Sequence, residues 1–221
     1  MLNRLELYLP VKPFNIYQDF YGNKACIENN ELPLEKRKVI GVATNETVCP
    51  VGYTKLYPLL GMKSHGGYDV PVPMWTPVYS PIDGVVKEVQ TELERGLGLG
   101  IITNERVKVD EWGEHYYKDR HWHFIALNVG LNDKVSRGDL IGYADSTGIS
   151  GGSHLHWEGK PIEYDSSGNH YNIFQNNGNF GCIPIDRFFI KSYAADTQKI
   201  KNILIALVSA LEALIEKLTK K

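Results

Sequence analysis

Two histidines separated by one residue, His154 and His156, end a glycine- and serine-rich stretch of this chain. Side chains two residues apart on a β-strand leave the same face, so both imidazoles can point into one cleft. Imidazole nitrogens are common metal ligands, and the spacing therefore indicates a candidate metal site. Because an ordinary solvated strand can also carry a His-x-His pair, the hypothesis needs further donors elsewhere in the chain.

A second pair of donors, His65 and Asp69, lies four residues apart in the run Lys63–Val70. Two adjacent glycines between them disfavour a helix. An extended segment also brings both side chains to one face, because four is an even spacing. A nitrogen and a carboxylate oxygen can therefore reach the same cleft from this segment.

A third pair, His121 and His123, has the spacing of two and is expected to share one face of a strand. His115 and His170 are expected at the surface. Zinc hydrolase sites use three protein ligands and leave one position for water, whose pKa falls to about 7. The sequence lacks a His-Glu-x-x-His motif, so histidine is expected to carry the proton. The candidate site comprises His65, Asp69, His123, His154 and His156.

Short β-branched runs with turn signals surround these residues and predict a mainly β protein. The predicted architecture is an antiparallel β-sheet core with a narrow catalytic groove, long loops and a C-terminal amphipathic α-helix. Asp83-Gly84 predicts a tight turn that enters a strand. The glycines of residues 96–102 indicate a strand with close backbone approach; no helix-forming segment follows them, which excludes a dinucleotide loop.

Three further segments have less regular patterns. Residues 53–60 predict a short helix, and residues 104–120 predict a long hairpin loop. Residues 159–181 are rich in glycine, asparagine and aromatic residues, and they predict either a rim or lid of the cleft or a solvated surface loop. The predicted domains are an N-terminal extension (1–13), a catalytic domain (14–192) and a C-terminal helix (193–221).

The C-terminal tail has apolar residues at helical spacing. This stripe contains Ile200, Ile203, Leu204, Leu207, Leu211, Leu214, Ile215 and Leu218. The part unbroken by charge, Ile203 to Leu211, is shorter than the roughly 18 residues of a membrane-spanning helix. Residues 200–218 therefore predict docking or self-association, and the flanking Lys201, Lys217, Lys220 and Lys221 leave contact with a membrane surface as an alternative.

The composition limits the classes of binding partner and the compartments that the protein is expected to have. The net charge is −2, which supplies no basic patch for nucleic acid. The first ten residues do not have the apolar core of a secretion signal. Cys26, Cys49 and Cys182 show no Cys-x-x-Cys spacing. They are interpreted either as three small core residues or as a Cys26–Cys49 disulfide, which would indicate an oxidising compartment.

Three motifs in order resemble those of peptidase family M23, the lysostaphin/LytM-type zinc endopeptidases of bacterial peptidoglycan. The His-x-Gly-x-Asp pattern is met by His65, Gly67 and Asp69. The pattern Thr-Pro-Val-Tyr-x-Pro-x-Asp-Gly-x-Val is met by residues 76–86. The pattern Thr-Gly-x-Ser-x-Gly-x-His-Leu-His-aromatic-Glu is met by residues 147–158. The resemblance covers roughly residues 14–190.

The resemblance implies a role for each candidate. It implies that His65, Asp69 and His156 bind Zn²⁺, and that His123 and His154 are the catalytic histidines. The usual Tyr-x-His-Leu of the family stands here as residues 121–124, with His121 in the tyrosine position, so His121 is a secondary candidate for the cleft. Zinc would polarise the scissile carbonyl and its water, while the two histidines move the proton and stabilise the oxyanion.

Two other functional classes compete with the peptidase hypothesis. Residues 80–89 and 135–142 also resemble the hairpins of biotinyl and lipoyl carriers and of phosphotransferase IIA proteins, but no carrier lysine lies between them. A peptidase-like scaffold that has lost its metal is the other alternative, although every implied ligand is present. The peptidase hypothesis places the protein at the bacterial cell wall, and the missing signal suggests a phage- or virion-associated endolysin or non-standard release.

Overall fold

The computed structural model describes residues 2–42 and 48–219 of the chain. Strands hold 39% of the residues and helices 15%, which confirms the mainly β prediction. The strands are β1 (Leu7–Leu9), β2 (Ala25–Glu28), β3 (Val39–Gly41), β4 (Tyr53–Lys55), β5 (Tyr68–Pro71), β6 (Thr76–Tyr79), β7 (Gly84–Gln90), β8 (Leu97–Thr103), β9 (Val107–Lys108), β10 (Glu114–Leu127), β11 (Lys134–Val135), β12 (Leu140–Ala144), β13 (His154–Tyr164), β14 (His170–Asn172) and β15 (Phe189–Tyr193). The α-helices are α1 (Leu56–Leu59) and α2 (Ala194–Thr219).

A large antiparallel sheet is built around β10. One edge of β10 pairs with β8, which continues to β7 and β11. The other edge pairs with β13 along its first half and with β12 near its end. Strand β13 in turn pairs with β5. Strands β10, β13 and β5 therefore lie side by side, and they carry four of the five candidate site residues.

The core lies on one face of this sheet. Its largest fully buried side chains include Leu99, Ile101, Tyr117, Phe124, Ile141, Leu155 and Trp157. Burying a side chain of this size contributes about 1.5–3 kcal/mol. Strand β8 alternates such residues with glycines, and a Cβ on Gly98 would lie 2.2 Å from the ring of Trp122. This close approach agrees with the strand predicted for residues 96–102. The strand predicted to follow Asp83 is also found, because β7 begins at Gly84.

The first residues of the chain pack on the same core. Leu5, Leu7 and Val11 are buried, and β1 pairs in parallel with β15 through Leu7 and Phe189. The boundary predicted after residue 13 stays a prediction. The structure nevertheless shows that the segment before this boundary shares its hydrophobic core with the segment after it.

A small separate sheet, in the order β3-β2-β4, lies beside the site. Cys26 on β2 forms a disulfide with Cys49, and Cys182 is a buried free thiol. Of the two interpretations of the cysteines, the disulfide is therefore the one found for Cys26 and Cys49. The core interpretation holds for Cys182.

Helix α2 follows β15 and has most of its apolar side chains exposed. Ile200, Leu204, Leu207 and Leu211 have exposures between 55% and 61%. The base of the helix is joined to the body by a hydrogen bond from Lys201 to the carbonyl oxygen of Arg137. Lys220 and Lys221 lie outside the described residues. Within residues 2–42 and 48–219, no helix is long and apolar enough to cross a membrane.

Three predictions about local structure were wrong, wholly or in part. Residues 104–120 are not a single loop, because β9 lies within them and β10 begins at Glu114. Residues 159–164 belong to β13, where Gly159 to Ile162 are buried. The helix predicted over residues 53–60 is confined to Leu56–Leu59 and follows strand β4. In each case, pairing with a neighbouring strand decides the conformation of a segment that is polar or aromatic in sequence.

Candidate functional site

Strand β13 presents a row of polar side chains on one face: His154, His156, Glu158 and Lys160, each two residues from the last. The register between β13 and β5 places His156 opposite Asp69. His65 lies just before β5, where its backbone N–H donates to the carbonyl oxygen of Gly22. The predicted common face of His154 and His156 is thus found, and Asp69 and His65 approach it from the adjoining segment.

Three of the candidates form a compact cluster of donor atoms. Nε2 of His65 lies 2.8 Å from Nδ1 of His156 and 3.1 Å from Oδ1 of Asp69. Nδ1 of His156 lies 2.9 Å from the same carboxylate oxygen. Two nitrogens and one carboxylate oxygen are a donor set that zinc accepts. Within residues 2–42 and 48–219, this group meets the geometric requirement for a metal site.

The second nitrogen of each imidazole supports this interpretation. Nδ1 of His65 lies 3.0 Å from the carbonyl oxygen of Asp19, and Nε2 of His156 faces Glu158 at 3.6 Å. An N–H directed at these oxygens leaves the lone pairs of the other two nitrogens directed at Asp69. Lone pairs converging on one carboxylate repel unless a cation is shared between them. The residues therefore fit a bound metal, with the outer partners that metal-bound histidines commonly have.

Glycine is required beside this cluster at Gly67. A Cβ at that position would lie 2.6 Å from the carbonyl oxygen of Trp157 and 2.9 Å from the ring of His156. Any larger residue would therefore displace the imidazole or the strand. The glycine of the His-x-Gly-x-Asp motif thus allows the donor-bearing segment to pack closely against β13.

The charges around His156 favour a cation at this point. Burial alone would lower the pKa of His156, but the neighbouring carboxylates of Asp69 and Glu158 raise it to about 9. Burial would also raise the pKa of Asp69, but the charges of His65 and His154 hold it well below its usual value. Asp69 is therefore ionised at neutral pH, as a metal ligand must be.

His123 reaches the site through a β-bulge. It has a φ of 68°, and the register between β10 and β8 shifts between Trp122 and Phe124. A bulge breaks the strict alternation of faces along a strand. The prediction that His121 and His123 share a face is therefore wrong. His121 is fully buried on the core side, where its Nε2 contacts Asp119.

His123 and His154 form the second half of the site. Their ring centroids lie 4.5 Å apart. Nδ1 of His123 lies 2.7 Å from the carbonyl oxygen of Thr147, and Nδ1 of His154 lies 2.7 Å from that of Gly152. An N–H at Nδ1 that donates to a carbonyl leaves Nε2 of each ring as the proton acceptor. Nε2 of His154 lies 3.4 Å from Oδ1 of Asp69, which directs this nitrogen toward the candidate metal donors.

Burial keeps His123 neutral. Loss of solvation, together with the charges of His154 and His156, lowers the pKa of His123 to about 3. A neutral imidazole at pH 7 can accept a proton, which is the requirement for a general base.

A groove of about 330 Å³ contains the site, and all five candidates line it. A second depression of about 280 Å³ adjoins it at Asp69, Gly151 and His154. The small sheet contributes Ala25 and Val39 to both cavities. The site therefore lies on the floor of a groove that continues into an adjoining depression at Asp69 and His154.

The groove also contains a charged group that the residue patterns do not predict. Arg120 on β10 stands opposite Glu158 on β13, and it contacts both Glu158 and Glu88. Lys118 and Lys160 are the next opposed pair along the same two strands. The alternation of His154, His156, Glu158 and Lys160 in the sequence is the signal that could have identified Lys160 as a groove residue.

The two histidines expected at the surface lie outside the groove. His115 is partly buried and contacts Glu163, with 2.8 Å between Nδ1 and Oε1. His170 is also partly buried, and its Nε2 lies 3.1 Å from Nζ of Lys118. Neither histidine lines the groove that contains the candidate metal donors.

The family whose motifs the sequence resembles is also the family found by comparison with known proteins. Residues 63–171 match the model of peptidase family M23. Peptidoglycan DD-endopeptidase ShyA of Vibrio cholerae serotype O1 is 34% identical over 102 residues, which are 44% of this chain and 21% of that protein. Glycyl-glycine endopeptidase ALE-1 of Staphylococcus capitis is 31% identical over 104 residues, which are 46% of this chain and 26% of that protein. The chain thus spans about a quarter or less of the length of these relatives.

Among solved structures, a zinc-containing peptidase from Vibrio cholerae matches 71% of this chain and 37% of its own, with 26% sequence identity and a TM-score of 0.45. The family match covers all five candidate residues and all three sequence motifs. Through residues 63–171, the chain is a member of peptidase family M23.

Proposed function

We propose that the protein is a zinc-dependent endopeptidase that hydrolyses peptide bonds in bacterial peptidoglycan. The observation that carries the proposal is the arrangement of five residues on one groove floor. The metal donors would be His65, Asp69 and His156, and His123 and His154 turn their Nε2 atoms toward them. This arrangement supplies a three-donor metal site and two proton-transferring groups, as a metallopeptidase requires.

Bound zinc would supply a Lewis acid that activates water and polarises the scissile carbonyl. His123 is neutral, and its Nε2 accepts the proton of the attacking water. His154 donates a hydrogen bond from Nε2 to the developing oxyanion when it is protonated, and the histidine pair returns a proton to the leaving amine. The carbonyl oxygens of Thr147 and Gly152 hold the two rings in the tautomer that this sequence of steps needs.

The substrate class rests on the relatives. ShyA is named a peptidoglycan DD-endopeptidase, and ALE-1 is named a glycyl-glycine endopeptidase. The two names denote different bonds, so the proposal extends to peptide bonds of the stem or the cross-bridge. The Cys26–Cys49 disulfide suits an oxidising location, and it supports action at the cell wall.

Digestion of purified peptidoglycans that differ in cross-bridge composition tests the proposal. The zinc-loaded protein should release fragments with new amino and carboxyl termini at one class of peptide bond, identified by mass analysis. Binding to the wall without new termini would instead support the inactive scaffold. New reducing ends would show cleavage of glycan bonds and would contradict the proposal.

We further propose that residues 200–218 associate with a second copy of the chain. Ile200, Leu204, Leu207, Leu211, Leu214 and Leu218 alternate in steps of four and three. This spacing is the seam of a coiled coil. Asn202, Ser209 and Glu216 lie at the positions opposite the seam. In a parallel pair each seam residue meets its own counterpart, so the seam is complementary to itself.

A further inference from the structure

The side chains on the groove floor change along β13 from histidines to charged residues. His154 and His156 face the metal donors, and the next two residues on the same face are Glu158 and Lys160. The neighbouring strand β10 shows the same change, because its register places Trp122 opposite His156 and Lys118 opposite Lys160. One end of the sheet face therefore carries the proposed chemistry, and the other end carries a cluster of charges.

The charges in this cluster do not balance. It contains three cations, Lys118, Arg120 and Lys160, and two carboxylates, Glu88 and Glu158. His170, next to Lys118, has its pKa lowered by burial and by that charge, so it is neutral at pH 7 and adds no further positive charge. The thiol of Cys182 donates to Glu158 and is neutral as well. The group therefore carries one net positive charge.

The excess charge lies on Lys160. Glu88 binds both Arg120 and Lys118, so each of its two carboxylate oxygens already has a cationic partner. Oε1 of Glu158 is contacted by Arg120 and by the indole N–H of Trp122. Among the residues that the structure describes, Glu158 is the sole carboxylate in ion-pair range of Lys160, at 4.0 Å.

Lys160 is also removed from solvent. Its residue exposure is 5%, yet its side chain lines the groove. Its ammonium group donates to the carbonyl oxygen of Phe180 at 2.9 Å, which is a neutral partner. Buried charges are ordinarily paired, because removing an ion from water is costly. Lys160 is a buried cation on the groove wall, and its nearest carboxylate among the described residues is 4.0 Å away and already binds Arg120. It is therefore suited to an anionic group of a ligand.

We propose that Lys160 binds a carboxylate of the peptide substrate and makes the protein selective for peptides that carry this group near the scissile bond. This inference rests on the proposed peptidase function. One residue of an extended chain spans about 3.3–3.6 Å. Glu158 links His156 to Lys160 through contacts of 3.6 Å and 4.0 Å. The substrate carboxylate that Lys160 binds therefore lies within about three residues of the bond that is cut.

Pairs of soluble wall peptides that differ by one free or amidated carboxylate test this inference. The peptides carry the change at each position within three residues of the cleaved bond. At one position, the wild-type protein should show kcat/KM at least about tenfold higher for the free acid, as one charge-assisted contact provides. Lys160→Met should lower kcat/KM for the acid and leave the amide unchanged, so that the ratio approaches one. Lys160→Arg should restore part of the preference.

Lys87→Met provides the matched control, because Lys87 is an exposed lysine that bonds Asn132 outside the groove. It should retain the wild-type ratio. Equal kcat/KM for acid and amide at every position, with cleavage intact, would overturn the inference and leave the peptidase function standing. An equal loss for both peptides in Lys160→Met would also overturn it, because it would show a purely structural role.

A binding measurement keeps the test independent of turnover. Calorimetry with the same peptide pairs on the His154→Ala variant should show tighter binding of the free acid and loss of this difference when Lys160→Met is added. Equal binding of acid and amide to this variant would overturn the inference. Absence of cleavage by the zinc-loaded wild-type protein, with the binding preference present, would contradict the proposed function alone.

Discussion

Glu158 lies 3.6 Å from Nε2 of His156, on the side of the imidazole that faces away from the other two proposed metal donors, His65 and Asp69. A carboxylate in this position fixes the tautomer of a metal-binding histidine and raises its basicity. Glu158→Gln should therefore weaken zinc binding by about 10- to 100-fold. Competition with a chelator of known affinity measures the change.

The matched control for Glu158 is Glu163→Gln. Glu163 also contacts a histidine, His115, but it lies outside the groove. This variant should retain wild-type zinc affinity. Unchanged affinity in Glu158→Gln, with the fold intact by circular dichroism, would contradict a role for Glu158 in positioning His156.

The roles proposed for His123 and His154 predict a separation of metal binding from turnover. Each change to alanine should lower kcat on peptidoglycan peptides by about 10²- to 10⁴-fold, because a general acid or base is lost. Zinc content should remain at the wild-type level in both variants. His115→Ala, outside the groove, should leave kcat unchanged.

Two outcomes would show that these roles are misassigned. Full turnover by His123→Ala, together with an inactive His154→Ala, would remove His123 from the proton-transfer pair. Loss of zinc from either variant would instead place that histidine among the metal ligands.

The pairing of Glu88 predicts a loss of stability in acid. Burial alone would raise the pKa of Glu88, but the charge and hydrogen bonds of Arg120, supported by Lys118, lower it to about 2. The unfolded chain has the ordinary carboxyl pKa of about 4.3. Because the folded-state pKa is the lower one, this stabilisation is present above about pH 4.3 and is lost as the pH falls toward 2.

Glu88→Gln should lower the free energy of unfolding by roughly 2–3 kcal/mol at pH 7. Its free energy of unfolding should also fall less steeply than that of the wild-type protein between about pH 5 and pH 2. Urea denaturation across this range measures both effects, and Glu31→Gln at an exposed position is the control. Parallel curves for the Glu88 variant and the wild type would contradict the prediction.

The coiled-coil seam of α2 predicts a concentration-dependent assembly. Light scattering after size exclusion should give a mass of at least twice 25.0 kDa for the full chain. Leu207→Glu should yield a monomer, because it places a charge in the apolar seam. Ser209→Glu on the opposite face should remain assembled.

The direction of the helices is tested with Ile200→Cys. A parallel pair brings residue 200 next to its counterpart and should form an intermolecular disulfide under mild oxidation. A wild-type monomer at all concentrations, or assembly only on lipid vesicles, would contradict association with a second copy.

The spacing of residues along the sequence predicts much of this site, because its donors are separated by even numbers of residues and so lie on one face of a strand. His154 and His156 share a face, and His65 and Asp69 converge on it, as even spacing predicts. The same rule gives a wrong prediction for His121, which does not share a face with His123. The bulge at His123 depends on pairing with two other strands, and one strand's sequence does not contain that information.

The charge cluster was missed for a related reason. Arg120, Glu88 and Glu158 belong to three separate strands, and only their register brings them together. The charge of residues 104–120 predicts a loop, whereas two of these residues, Lys118 and Arg120, pair with carboxylates of neighbouring strands within the sheet. Pairing between distant strands thus determines the position of these charged residues, which residue type alone does not predict.

We propose that this groove hydrolyses wall peptide bonds with one bound zinc. The release of free amino groups from purified peptidoglycan, measured after metal removal and stepwise return of zinc, tests this proposal. We predict no release without metal, recovery that saturates at about one zinc per chain, and no recovery for Asp69→Ala. Undiminished release after complete metal removal, or no release from the zinc-loaded wild-type protein, would contradict the proposal.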